Sequence, residues 1–139
     1  MISSTPSSGF LNQTHILLSV KPRFAKQILL GEKKYEFRRT IFSRKVDVVL
    51  LYVTTPVQRV VAEFDVLSII SEPLDLLWRR TRKYAGIDMT LFYEYFNGLE
   101  KGYAIEIGDV RLYKEPFCPV KKLGVKPPQS FAYVEPVAF

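Results

Sequence analysis

Residues 46–53, VDVVLLYV, place the tightest limit on what this chain can fold into. All but Asp47 are aliphatic, β-branched or aromatic, the run is too short for a buried helix, and Thr54-Thr55-Pro56 ends it. A strand of that kind must be covered on both faces, which demands a layered fold with a sheet at its centre. With 139 residues, 47% of them hydrophobic, the chain can build one ordinary core. We therefore expect a single domain over residues 15–139, preceded by a Ser/Pro/Gly-rich disordered leader over residues 1–14.

The flanking segments fill in the elements. His15–Val20 alternates as a half-buried strand, and Pro22 opens a helix carrying Phe24, Ala25, Ile28 and Leu29 that Gly31 stops. Lys33–Arg39 predicts a second strand, with Tyr35 and Phe37 on one face and Lys34, Glu36 and Arg38 on the other. Arg59–Ile70 predicts a long strand that separates Glu63 and Asp65 from Ala62, Phe64 and Val66. A helix is expected from Ser71 or Glu72 to Gly86. A second, capped by Asp88, runs through Phe92 and Phe96 to Asn97-Gly98. Strands return at Tyr103–Ile107 and Val110–Tyr113 with Gly108 as a bulge, and the proline-rich tail predicts a loop leading to a short edge strand. Five or six strands without regular βα alternation indicate an α+β domain with a curled sheet or small barrel.

Charge is concentrated in one unit. Between Lys21 and Lys45 stand nine basic residues and two acidic ones, a local charge of +7 in a chain whose total is +6. Tyr35, Phe37 and Phe42 are threaded through it, a combination suited to phosphate and to bases. A second basic run, Arg79 to Lys83, falls at a helix C-terminus, where cations match the dipole, and Lys121, Lys122 and Lys126 follow in the tail. One cysteine, Cys118, excludes an internal disulfide. His15 is the sole histidine, and no Cys/His cluster has metal-ligand spacing, so neither a metal nor a cofactor is expected. No apolar run reaches a membrane-spanning length, and the start lacks the pattern of a signal peptide, so a cytoplasmic protein without a membrane partner is the expectation.

The order LSVKPRFAKQILLGEKKYEFRR, YVTTPVQRVVAEF, GYAIEIGDV and PPQSFAYV resembles the ASCH domain of the PUA-like superfamily, over about Ile16 to Val134. The small stand-alone members are the most similar. That resemblance implies a small curled β-barrel of five or six strands with inserted helices, a cleft beside it, and a nucleic-acid or nucleoside ligand, RNA above all. Within it, Ser19, Lys21, Lys33, Glu36, Arg38, Thr55, Gln129, Ser130 and Phe131 are the candidate ligand-binding residues. Lys21, Lys33 and Glu63 are the candidate catalytic groups if the domain is an enzyme. Some ASCH-related hydrolases remove the acetyl group of acetylcytidine with a lysine, a threonine three residues later and a distant glutamate. Lys33 matches that lysine, but Glu36 stands where the threonine would be. Chemistry there would need Ser19, Thr54 or Thr55 as nucleophile with a lysine base, or a carboxylate to activate water. Three functions follow: a binding module for RNA or a modified nucleotide first, an ASCH-type hydrolase, either acetylcytidine-directed or a ribonuclease, second, and a protein-interaction scaffold third. Tyr95 and Trp78, at helical spacing, are expected to be core.

Overall fold

The computed structural model describes residues 13–136. Residues 1–12, most of the expected leader, lie outside the described residues. Six strands form one mixed sheet: β1 (His15–Val20), β2 (Tyr35–Arg38), β3 (Val48–Val53), β4 (Arg59–Pro73), β5 (Lys101–Phe117) and β6 (Phe131–Val134). Their spatial order is β2-β5-β4-β3-β1-β6. The helices are α1 (Pro22–Leu29), α2 (Leu74–Thr81), α3 (Met89–Tyr95) and α4 (Pro119–Leu123), with a 3₁₀ turn at Arg82–Tyr84.

β3 occupies the centre, parallel to β1 and antiparallel to β4, and all six of its residues are buried. Its alternate side chains enter two cores. Val49, Leu51 and Val53 join Ile16 and Leu18 of β1, Phe64 of β4 and Ala25 and Ile28 of α1. Val48, Leu50 and Tyr52 join Leu17 and Val60 beneath Phe117, Leu123 and Val125. β1 is therefore covered on both sides as well. The half-buried expectation fails because the tail folds back over the face bearing His15 and Leu17. A third core, Phe37, Ile70, Leu77, Phe92, Phe96 and Ala104, fixes α2 and α3 to the end of the sheet carrying β2.

β4 and β5 are long antiparallel strands whose pairing shifts register three times. Each extra residue increases local twist, which curls the sheet. One shift lies between the pairs Phe64–Val110 and Val66–Ile107, so the bulge falls at Gly108-Asp109, where the sequence indicates it. The edges β2 and β6 do not pair, so the sheet is curled without closing into a barrel. A side-chain contact spans the gap: the Arg38 guanidinium donates to the Ser130 hydroxyl.

β2 is shorter than the expected Lys33–Arg39, β5 runs on past Tyr113 to Phe117, and both ends of α2 differ from expectation. β4 continues through Ser71, Glu72 and Pro73, because Tyr103, Gly102 and Lys101 of β5 pair with them, and the helix starts only at Leu74. That helix stops at Thr81, whose hydroxyl donates back to the Leu77 carbonyl, and a 3₁₀ turn covers Arg82–Tyr84. The short α4 is additional to the expected elements, although Pro119 at its first turn and Gly124 at φ +68° just beyond it are ordinary start and stop signals.

Candidate nucleic-acid interface

Three local devices assemble one cleft. Gly31, at φ +77°, ends α1, and the following turn is tied down by the Glu32 and Lys33 amides, which both donate to the Gln27 carbonyl. This turn aims Lys33 inward. Asp88 caps α3 by accepting from the Leu91 amide at 2.8 Å, which fixes the helix facing β2. The proline-stiffened loop before β6 is latched to β1: the Ser19 hydroxyl donates to the Pro128 carbonyl at 2.5 Å, and the Ser19 amide donates to the Ser130 carbonyl at 3.0 Å.

The resulting cleft has a volume of about 390 Å³. Its polar side is formed by Ser19, Lys21 and Arg23 at the β1–α1 junction, Lys33, Glu36 and Arg38, and Gln129. Phe24, Ile87, Leu91 and Tyr95 make an apolar wall, and Phe37 closes the base. Such a space suits a ligand with one flat apolar part and one anionic part.

Lys33 and Glu36 are buried, 3% and 8% exposed. The Lys33 ammonium donates to the Ala85 carbonyl at 2.6 Å and lies 4.9 Å from the Phe37 ring centroid and 5.4 Å from that of Phe24. Gly86, at φ +73°, leaves room for its stem, since a Cβ there would come within 2.9 Å of the Lys33 side chain. Burial lowers the Lys33 ammonium below its ordinary pKa, and the Glu36 charge opposes that. Burial likewise pushes the Glu36 carboxyl up, with Lys33 and then Arg38 pulling it back. Glu36 and Arg38 are 3.4 Å apart, on one face of β2 as the sequence pattern predicts. Lys33 lies just ahead of the strand, and its side chain comes near Glu36 instead of keeping to an opposite face. The Tyr95 hydroxyl donates to the Phe37 carbonyl at 3.0 Å, and burial raises its pKa, so it remains a neutral donor.

Of the candidate residues, Ser19, Lys21, Lys33, Glu36, Arg38 and Gln129 line the cleft, and Ser130 touches it through Arg38. Three do not. Glu63 pairs with Leu50, so it faces the sheet side opposite α1, where Arg111 bonds it at 2.9 Å and the Tyr113 hydroxyl donates to it at 2.9 Å. Asp65 joins that network through the same arginine. Glu63 is thus separated from Lys33 by the thickness of the sheet. Thr55 is exposed in the β3–β4 turn, and neither it nor Thr54 lines the cleft. Phe131 packs edge-on against Phe42, centroids 5.5 Å apart, as part of the core.

The apolar wall was missed by the sequence reading. Leu91 and Tyr95 precede Phe92 and Phe96 by one residue each. The later pair enters the third core, whereas the earlier pair faces the cleft. The doubled pattern Leu-Phe, Tyr-Phe was the available signal, since its apolar arc is wider than one core contact needs. A larger cavity of about 570 Å³ opens at the other end of β1, beside His15, Arg44, Lys122 and Tyr133, and contains none of the candidate residues. Among the described residues no three His, Cys, Asp or Glu side chains converge as metal ligands would, and no helix is long and apolar enough to cross a membrane.

Known proteins share this architecture. The crystal structure of ASCH from Zymomonas mobilis superposes with a TM-score of 0.80, at 28% identity over 87% of both chains. A serine-to-alanine variant of it gives 0.81 at 26% identity, over 89% of this chain and 90% of that one. An ASCH domain-containing ribonuclease from the same organism is 29% identical over 126 residues, 85% of this chain and 82% of its own length. This chain is an ASCH domain protein. No protein-family model matches it. An ASCH domain of this kind is also similar to parts of longer chains: ATP synthase subunit alpha and the large ribosomal subunit protein uL22 of Ureaplasma parvum are each 31% identical over 86% of this chain. The chain spans only 15% and 39% of those two relatives' lengths.

Proposed function

We propose that residues 15–139 act as one ASCH domain that binds single-stranded RNA and seats one nucleotide in the cleft. The convergence of Glu36, Arg38 and Lys33 opposite the wall of Phe24, Leu91 and Tyr95 carries this reading. A base fits against the apolar wall, where stacking on an aromatic contributes about 1–3 kcal/mol. Arg38 offers a planar donor fork to phosphate or to a base edge, and Glu36 can accept from an exocyclic amine. Lys21 and Arg23, exposed at the mouth, meet the phosphates. Such a role suits the cytoplasm, and a lone cysteine is compatible with it.

Fluorescence anisotropy with a ten-nucleotide single-stranded RNA tests this. Affinity should fall steeply with salt, and Arg38→Glu should weaken binding at least tenfold. Absence of binding by the unaltered protein at low salt would refute the reading.

The 29%-identical ribonuclease favours a second activity at the same place, cleavage of the bound strand. Strand cleavage needs a group to move a proton and a cation beside the phosphate, and Lys21, Lys33 and Arg38 are the cleft residues of suitable type. Removal of an acetyl group through a hydroxyl nucleophile has less support. Glu36 occupies the threonine position, and the Ser19 hydroxyl is already engaged with Pro128. Incubating the protein with labelled RNA and resolving the products by length separates binding from cleavage.

A further inference from the structure

The second basic run, distant in sequence from the cleft, is brought against it by the fold. The Lys34 amide donates to the Tyr84 carbonyl at 2.9 Å, and one residue back in the first segment and one on in the second the Lys33 ammonium donates to the Ala85 carbonyl at 2.6 Å. Two bonds therefore fasten the 3₁₀ turn to the turn that supplies the cleft lysine. Tyr84 ends up on the surface, 37% exposed. The Lys34 ammonium lies 4.5 Å from its ring centroid and that of Lys83 5.6 Å, and Arg82 is exposed in the same turn. Three residues after Tyr84, Ile87 lines the cleft.

We propose that Tyr84, Lys34 and Lys83 form a second nucleotide subsite that extends the cleft along a single RNA strand. A base stacks on the exposed tyrosine in the place over the ring that the exposed Lys34 side chain covers in the free protein, and the displaced Lys34 ammonium and that of Lys83 meet the phosphates on either side of it. An aromatic ring flanked by cations is the arrangement by which single strands are held without reading sequence, because every base has a face to stack. Its rigid attachment to the Lys33 turn gives both subsites a fixed relation, so a strand seated in one is guided to the other. A simple cation–π cluster would serve only local packing. The ring's exposure and its place beside the cleft favour the ligand role. The inference rests on the proposed RNA binding.

The test uses oligouridylates of two and ten nucleotides, measured by anisotropy across a salt series against the unaltered protein and three variants. Tyr84→Ala should lower affinity for the ten-mer roughly tenfold, as expected for one lost stack, and that for the two-mer much less. The double variant Lys34→Glu, Lys83→Glu should weaken the ten-mer and reduce the slope of log affinity against log salt by about 1.4, two phosphate contacts on a single strand. Lys114→Glu, on the far half of β5, serves as the control for overall charge and should change the slope little. Circular dichroism checks that the variants fold, which these exposed positions should permit. If the unaltered protein binds the ten-mer but Tyr84→Ala binds it equally well, or if Lys114→Glu matches the double variant, the second subsite is overturned while RNA binding stands. If the unaltered protein binds neither oligomer, the cleft reading fails and this one with it.

Discussion

At the scale of single residues, the unusual group is Glu36. Its side chain is enclosed on β2, and its carboxyl is raised above the ordinary value of 4.5 by burial, against the pull of Lys33 and Arg38. A carboxyl raised by folding binds its proton more tightly in the folded state than in the unfolded one. Its stabilising effect is full below about pH 4.5 and is lost as pH rises through the folded value. Glu36→Gln should remove that loss. Urea denaturation between pH 4 and pH 8 should show a flatter dependence for the variant than for the unaltered protein. Lys33 acts in the opposite sense: its pKa lies below the ordinary 10.5, so the cost of burying its charge is full below the folded value and is relieved as pH rises from there toward 10.5. Lys33→Met keeps the stem packed between Phe24 and Phe37 and removes the charge together with its hydrogen bond to the Ala85 carbonyl, whereas Lys33→Ala would also open a hole. The methionine variant should fold and lose RNA affinity, which thermal melting and anisotropy together report.

At the scale of elements, helix α3 does two jobs with adjacent residues. Phe92 has ring neighbours in Phe37, Trp78, Tyr93 and Phe96 at centroid distances of 4.9 to 5.2 Å. Phe92→Ala should cost about 3–5 kcal/mol, measured as a fall in urea midpoint. Gly102 of β5 lies so close beneath Phe96 that a Cβ would come within 2.3 Å of its ring. Gly102→Ala should therefore destabilise by about 1–3 kcal/mol and shift α3, which would be felt in the cleft through Leu91 and Tyr95. Much of this was legible in sequence. The doubly covered β3, the Pro22 and Gly31 limits of α1, the Asp88 cap and the Gly108 bulge all rest on local chemistry that one segment carries by itself. The covering of β1, the extension of β4 to Pro73 and the cleft-facing role of Leu91 and Tyr95 depend on partners far away in sequence. Periodicity marks Tyr95 and Phe96 alike as apolar and cannot say which of two surfaces each will meet.

For the whole molecule, the curled sheet brings its two edges together without hydrogen-bonding them. Arg38 and Ser130 bridge β2 and β6 at the cleft, while the latch from Ser19 holds the intervening loop. Ser130→Ala should loosen that junction, raising amide hydrogen exchange in β6 while leaving Val49 and Leu51 of β3 protected, because those lie in the central core. The same curl explains why the site was only partly legible. Glu63 is a candidate cleft carboxylate in the sequence because it stands on the long alternating strand. The sheet, however, turns it toward Arg111 on the far side, and only the three-dimensional path reveals that. What unites the molecule functionally is the end of β1 at Ser19, where strand, helix, tail loop and β2 meet around one opening. The most direct test of that site is chemical-shift mapping of ¹⁵N-labelled protein during titration with a ten-nucleotide single-stranded RNA. The predicted result is a cluster of saturable shifts at Lys33, Glu36, Arg38, Leu91 and Tyr95. Shifts confined to Arg44, Lys122 and Tyr133 at the opposite end of β1, or none in the cleft at saturation, would contradict it.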